Sequence, residues 1–217
     1  MGKYYPMMVD LAGRRCLVVG GGQVAERKVR ALVEAGAEVV VVSPALSPGL
    51  QGLKREGLII HRARSYRPGD VAGSLLVFGA TDDPEVNRRL ADEAKAMGVL
   101  ANLADSPASS TFLTPATLTR GNLVIAISTG GDSPALARKI REDLESVYGE
   151  EYAGLLKVLE QVRERAKREV ADPGRRRALF ERAVESDLLE RLRAGDAAGL
   201  VRTVERLFSS SPDSLDR

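Results

Sequence analysis

Arg15-Cys16-Leu17-Val18-Val19-Gly20-Gly21-Gly22-Gln23-Val24-Ala25 is the stretch from which the fold is read. Residues 16–19 form a short, wholly apolar run, the pattern of a parallel strand buried on both faces. After the three glycines the spacing becomes helical. Val24, Val29, Leu32 and Val33 fall near one face, and Arg27, Lys28 and Glu34 fall elsewhere. Gly20, Gly22 and Ala25 satisfy G-x-G-x-x-G/A. The first position permits a tight turn, the second lets backbone approach a pyrophosphate, and the third lets helix and strand pack closely. Free N–H groups at the start of the helix would face a diphosphate, where the helix dipole favours negative charge.

The residues downstream repeat the alternation. A glycine at 36 closes the first helix, and Val39-Val40-Val41-Val42 reads as a second strand. Ser43, Pro44 and Ala45 open the loop at its carboxyl end, before a short helix over 50–56. A dinucleotide site usually carries an acidic residue here for the ribose hydroxyls. This chain has Ser43 instead, and no arginine follows in the loop to clamp a 2′-phosphate, so NAD is preferred over NADP.

Leu58-Ile59-Ile60 predicts a third strand ending at His61, the only histidine, which removes multi-histidine metal sites and Ser–His triads. His61 itself reads as a strand-end or surface residue rather than a ligand. Leu75-Leu76-Val77-Phe78 predicts a fourth strand, and Thr81 and Asp82 follow where open α/β sheets bind ligands. Asp83 before Pro84 equally reads as the N-cap of a helix over 84–97, and the two readings are compatible. Val99-Leu100-Ala101 makes a fifth strand. The fold class is α/β, a Rossmann-like, doubly wound parallel sheet.

Asn102-Leu103-Ala104-Asp105 then sits at a strand's carboxyl end. A carboxylate at Asp105 would lie near a nicotinamide ring as a general base. An Asx turn before Pro107 explains it as well. Beyond it, residues 123–128 predict a single strand, and Thr129-Gly130-Gly131-Asp132-Ser133-Pro134 leads into a helix with Ser133 as N-cap and Pro134 at N1. Leu136, Ile140, Leu144 and Val147 form its apolar face. The glycine loop is a second anion-binding geometry, and the strand–helix unit equally reads as an oligomer interface. A helical stripe over 152–170, two short helices and a last one capped by Asp196 complete the chain. Arg175-Arg176-Arg177 reads as a solvated face or as a surface for a polyanion.

The 217 residues hold one large domain or two small ones. The 44% hydrophobic and 29% charged fractions are those of an ordinary globular chain, and the net charge of +2 recruits neither nucleic acid nor an anionic membrane. No apolar run is long enough to span a bilayer. Residues 1–6 show no signal-peptide core and no myristoylation pattern, so the expected compartment is cytoplasmic. The single cysteine, Cys16, excludes an intramolecular disulfide and reads as a small buried hydrophobe.

Taken together, the stretch 17–28, Ala80-Thr81-Asp82-Asp83, residues 102–105, Phe112-Leu113-Thr114-Pro115-Ala116, Arg120-Gly121 and Ala126-Ile127-Ser128-Thr129-Gly130-Gly131-Asp132-Ser133-Pro134-Ala135-Leu136-Ala137-Arg138 resemble the precorrin-2 dehydrogenases. Some members of that family also act as sirohydrochlorin ferrochelatases, and the same fold begins the multifunctional siroheme synthases. The resemblance implies an NAD-binding domain over 1–113, a small α/β dimerisation domain over 114–149 and a helical C-terminal domain over 150–208; from Ser209-Ser210-Ser211-Pro212 onward the composition itself reads as a disordered tail, 209–217. It implies a homodimer that oxidises precorrin-2 to sirohydrochlorin, with NAD as hydride acceptor. The family's catalytic aspartate matches Asp105. Its cofactor contacts match Gln23, Val24, Ser43, Pro44 and Ala45, with Thr81. Thr129 matches a position that is serine in some siroheme synthases, where it influences substrate binding. Arg120, Arg138, Gly130 and Gly131 are the candidates for the macrocycle's carboxylates. Insertion of Fe2+ at the same site is a second activity the resemblance leaves open. A non-catalytic NAD(H) or tetrapyrrole sensor is the alternative from another class.

Overall fold

The computed structural model describes residues 4–104 and 106–209 of the chain. Asp105, the first three residues and 210–217 lie outside the described residues, so the catalytic and tail expectations at those positions have no structural counterpart here. The chain divides into two compact units, Met1–Thr114 with Gly130–Asp132, and Pro115–Thr129 with Ser133–Arg217.

The first unit is built on five strands: β1 (Arg15–Val19), β2 (Glu38–Val42), β3 (Ile59–Arg62), β4 (Leu76–Gly79) and β5 (Leu100–Leu103). All pair in parallel, in the order β3-β2-β1-β4-β5. Side chains alternate across a strand, and both faces are covered, which is why the sequence runs are continuously apolar rather than alternating. Cys16, Val18, Val39, Val41 and Phe78 face α1 (Gln23–Glu34) and α2 (Pro48–Arg55), packing with Val29, Leu32, Leu50 and Leu53. Leu17, Val19, Val40, Val42 and Val77 face α3 (Pro84–Ala96), packing with Leu90, Ala94, Tyr66 and Val71. Each fully buried Val or Leu contributes about 1.5–3 kcal/mol relative to an exposed one.

The chain winds from β1 outward to β3, then returns to the other side of β1 as β4. The order therefore reverses beside β1, and the crevice above the strands' carboxyl ends at such a reversal is where open α/β sheets bind ligands. Two boundaries differ from expectation. β3 extends through His61 and Arg62, and β5 continues through Asn102 and Leu103, which the sequence placed in the following loop. The reason for the second is a return segment: Thr111 N–H donates to the Ala101 carbonyl, and the Asn102 amide donates to the Phe112 carbonyl.

The second unit corrects the single-strand expectation. β6 (Ala116–Arg120) and β7 (Leu123–Ile127) form an antiparallel hairpin with Arg120 opposite Leu123. The two-residue link has Gly121 at φ +56, the first central position where a type II′ turn requires glycine. The sequence Ala-Thr-Leu-Thr-Arg hides this strand because Leu118 is its one buried side chain. Helix α4 (Pro134–Val147) follows, with Ser133 accepting from Leu136 N–H. Its expected apolar face divides. Ile140 and Leu144 are half-buried, whereas Leu136 and Val147 remain 50% and 52% exposed. The remaining helices are α5 (Glu151–Glu169), α6 (Pro173–Glu185), α7 (Leu188–Arg193) and α8 (Ala197–Ser209). They share a core of Val162, Ala166, Leu179, Ala183, Leu188 and Leu207. Ser209, expected to begin the tail, is the last residue of α8.

Candidate active site

A cavity of about 960 Å3 opens above the carboxyl ends of β1, β2 and β4. Gly20, Gly22, Gln23, Val24, Ser43, Pro44, Ala45, Thr81 and Asp82 all line it, so nine residues singled out from three separate stretches meet in one place. The volume is at the upper end of ordinary ligand pockets, roughly 300–1,000 Å3.

The glycines have different jobs. Gly20 has φ +127, and a Cβ there would lie 2.1 Å from the Ala80 carbonyl oxygen. A Cβ on Gly21 would lie 1.9 Å from the Ala45 carbonyl oxygen. Both are demanded by the protein's own backbone. Gly22 is different: its φ is −87, and a Cβ would meet nothing within 4 Å. The fold alone does not need a glycine there, but a ligand pressed against the backbone would.

Gly22 is also the N-cap of α1, and no side chain caps that helix. Helices α2, α3, α4 and α6 are capped by Ser47, Asp83, Ser133 and Asp172, each accepting from first-turn N–H groups. The first turn of α1, at Gln23, Val24 and Ala25, has no such partner. An anion completes such a terminus, drawn both by the N–H groups and by the helix dipole. The residues present therefore fit a diphosphate.

The loop after β2 is fixed over this turn. Ser47 N–H donates to the Gly21 carbonyl at 2.7 Å, and Ser47 Oγ donates to Glu26 Oε2 at 2.6 Å. Bonds from Ser47 and Arg30 hold the Glu26 carboxyl below the usual carboxylate range. Ser43 is buried. Its hydroxyl donates to the Ala45 carbonyl at 2.7 Å, and its oxygen keeps acceptor capacity toward the cavity it lines. His61 lies at the end of β3, as expected, and is half-buried, with Nε2 2.9 Å from the Ser43 carbonyl oxygen, so this nitrogen carries the proton and steadies the loop after β2. Thr81 Oγ1 lies 3.1 Å from the Asp83 carbonyl oxygen and from Asn87 Oδ1, which folds the loop after β4. Asp83 caps α3, as the sequence indicated, while its neighbour Asp82 lines the cavity.

Sequence reasoning missed Ser65 and Tyr66, which also line the cavity. They follow β3, and only the pairing of β3 with β2 brings them there. The Tyr66 hydroxyl donates to Glu93, and burial, reinforced by that carboxylate, pushes the phenol well above its ordinary range. Cys16 is fully buried, and that burial raises its thiol.

The other candidates lie in the second unit or the glycine loop. Arg120 is 16% exposed and already engaged: Nε donates to the Tyr148 carbonyl at 3.0 Å and lies 3.3 Å from Glu150. Thr129 Oγ1 accepts from Ser133 N–H at 3.0 Å, closing the loop. Gly130 and Gly131 have φ +68 and +100, backbone that glycine alone adopts readily. Arg138 is exposed on α4.

Three family models match consecutive segments. A putative NAD(P)-binding family matches residues 7–116, the sirohaem biosynthesis protein central family matches 120–146, and the sirohaem synthase dimerisation region matches 151–208. The chain belongs to the putative NAD(P)-binding family whose model spans its first half, and its later segments match the two sirohaem families in turn. The cofactor class named by the first match is a nicotinamide dinucleotide. The dimerisation description falls on 151–208, whereas the sequence reading assigned that role to 114–149. The chain is 39% identical over 207 residues to siroheme synthase 1 of Aeromonas salmonicida, covering 95% of this chain and 44% of that protein. It is 38% identical over 208 residues to the siroheme synthase of Chromobacterium violaceum, covering 96% and 44%. It thus spans less than half the length of these relatives. A solved structure titled SirC, precorrin-2 dehydrogenase, superposes with TM-score 0.76 at 28% identity, covering 94% of this chain and all of that one. No helix among the described residues is long and apolar enough to cross a membrane.

Proposed function

We propose that this protein oxidises precorrin-2 to sirohydrochlorin with NAD as the hydride acceptor. The observation that carries the reading is the bare start of α1, facing a cavity where Gly22 leaves room for a ligand against the backbone. The match to a protein titled precorrin-2 dehydrogenase over its whole length supplies the substrate class.

Bound nicotinamide supplies a two-electron sink that takes a hydride from the reduced macrocycle. The chain's residues do the remainder. N–H groups of Gln23 and Val24 meet the pyrophosphate beside Gly20 and Gly22, and Ser43 with Pro44 and Ala45 receives the ribose of the adenosine half. Thr81 and Asp82 border the nicotinamide half. Oxidation releases one proton beyond the hydride, and Asp105 is the residue proposed to accept it. Thr129, Gly130, Gly131 and Arg138 are proposed to receive the macrocycle's carboxylates, and Arg120 anchors its hairpin to the Tyr148 carbonyl. NAD is preferred because no cation lines the ribose end of the cavity. The proposed assembly is a cytoplasmic homodimer divided at 113/114 and 149/150.

Anaerobic incubation with precorrin-2 should produce NADH from NAD+ together with the sirohydrochlorin spectrum. An absence of turnover with both NAD+ and NADP+ would overturn the reading.

A further inference from the structure

The loss of the usual acidic residue after β2 leaves a question of selectivity. An aspartate or glutamate there both binds the ribose hydroxyls and repels a 2′-phosphate. Ser43 does only the first, so rejection of the phosphorylated cofactor must come from elsewhere. Two arginines stand nearby. Arg62 ends β3 and pairs with Val42, immediately before Ser43, and its carbonyl accepts from Ser43 N–H at 3.3 Å. Arg64 follows two residues later, and Nη1 donates to the carbonyl of Ser65, which lines the cavity. A guanidinium at this end would be a ready clamp for a 2′-phosphate.

Both are held away from it by one carboxylate. Asp70 is 3% exposed and receives Arg64 through two bonds, Nη1 to Oδ2 at 2.7 Å and Nη2 to Oδ1 at 2.6 Å. Arg62 Nη1 donates to the same Oδ1 at 2.8 Å. The Arg67 backbone N–H donates to Oδ2 at 3.0 Å, and Arg15 Nη2 reaches the Asp70 carbonyl at 3.2 Å, fixing the residue from both ends. Arg62 and Arg64 stay 38% and 29% exposed, so they are within reach of solvent but committed to Asp70. The cavity wall is formed by Ser43, Ser65 and Tyr66, with neither guanidinium in it.

We propose that Asp70 is the specificity-determining residue for the cofactor: by holding Arg62 and Arg64 on itself, it denies a 2′-phosphate its counter-charge. This rests on the dinucleotide reading above. Removing the charge while keeping the shape should free the arginines to close on the 2′ position.

Titration calorimetry with NADH and with NADPH tests this on the full chain. The wild-type protein should bind NADH more tightly. Asp70→Asn should strengthen NADPH binding by about tenfold or more and leave NADH within about twofold, as expected for a new charge-assisted contact. Asp70→Asn combined with Arg64→Ala should return NADPH to its wild-type affinity. If Asp70→Asn does not fold, Arg62→Gln and Arg64→Gln decide. Unchanged NADPH affinity supports the inference, and weakened NADPH affinity overturns it, because the arginines would already be holding the phosphate. A folded Asp70→Asn with unchanged NADPH affinity overturns it too, as does a wild-type protein that binds the two cofactors equally. Failure of the wild type to bind either would instead defeat the dinucleotide reading itself.

Discussion

Gly20 and Ala80 meet backbone to backbone: a Cβ at position 20 would lie 2.1 Å from the Ala80 carbonyl oxygen, and 2.6 Å from its carbon. This contact ties the turn after β1 to the exit of β4, two of the three strand ends that bound the cavity. Gly20→Ala should therefore fail twice, through the clash and through φ +127. The strained backbone costs about 1–3 kcal/mol and the forced shift about as much again. A large fall in the urea midpoint, with dinucleotide binding lost, is the expected result.

Gly22→Ala is the informative contrast. With φ −87 and open space at the Cβ, the fold should change by less than about 1 kcal/mol. Dinucleotide affinity should nevertheless fall by about tenfold or more, since the methyl group would occupy the diphosphate's approach. Melting temperature and calorimetry on the same sample separate the two effects. An affinity equal to wild type would remove Gly22 from the site.

Asp70 gives the acid limb of stability a specific cause. Its carboxyl is pulled from 3.8 to about 2, chiefly by the Arg64 bonds, against the opposing effect of burial. A folded-state value below the unfolded one means stabilisation that is complete above the unfolded value and lost as pH falls through the folded one. The gain is about 2 kcal/mol at neutral pH. Urea unfolding should show Asp70→Asn less stable than wild type at pH 7, with the gap narrowing between about pH 4 and 2. A constant gap across that range would show that ionisation is not its source.

Arg120 and Arg138 should respond to different assays. Arg120 is spent on the Tyr148 carbonyl and Glu150, so Arg120→Met should lower stability by about 1.5–3 kcal/mol, the range for a hydrogen bond to a charged group. Arg138→Ala removes an exposed side chain and should leave stability within about 0.5 kcal/mol. If Arg138 receives a macrocycle carboxylate, KM for precorrin-2 should rise about tenfold or more. An unchanged KM would take it out of the substrate site.

Asp105→Asn tests the proton step. Turnover should fall by about 10²–10⁴-fold, the range for a positioned general base, while NADH affinity is retained. Full activity would remove Asp105 from the mechanism, and lost NADH binding would recast it as a cofactor residue.

That the glycines, Ser43 and Thr81 meet in one cavity was legible because the determinants are local. Gly20, Ser43 and Thr81 each stand within two residues of the end of an apolar strand, and parallel strands deliver their carboxyl ends to one edge. Ser65 and Tyr66 were invisible because they reach the cavity only through the pairing of β3 with β2, which no short motif announces. The Asp70 cluster was hidden for the same reason: its arginines and carboxylate carry no spacing signature until the chain turns. β6 escaped notice because a strand with one buried residue has almost no hydrophobic period. Leu136 and Val147 show the reverse error, since an apolar stripe declares that it prefers cover without declaring what supplies it.

If the uncapped start of α1 receives a dinucleotide as proposed, the lifetime of the polypeptide follows the supply of that molecule. A ligand that binds only the folded form adds RT ln(1 + [L]/Kd), about 2.7 kcal/mol at a hundredfold excess over Kd. In the proposed reaction the hydride acceptor would itself complete the helix end that the sequence left open. Half-life under limited digestion by a protease should lengthen in step with added NAD+, and the polypeptide should persist best where that dinucleotide is abundant.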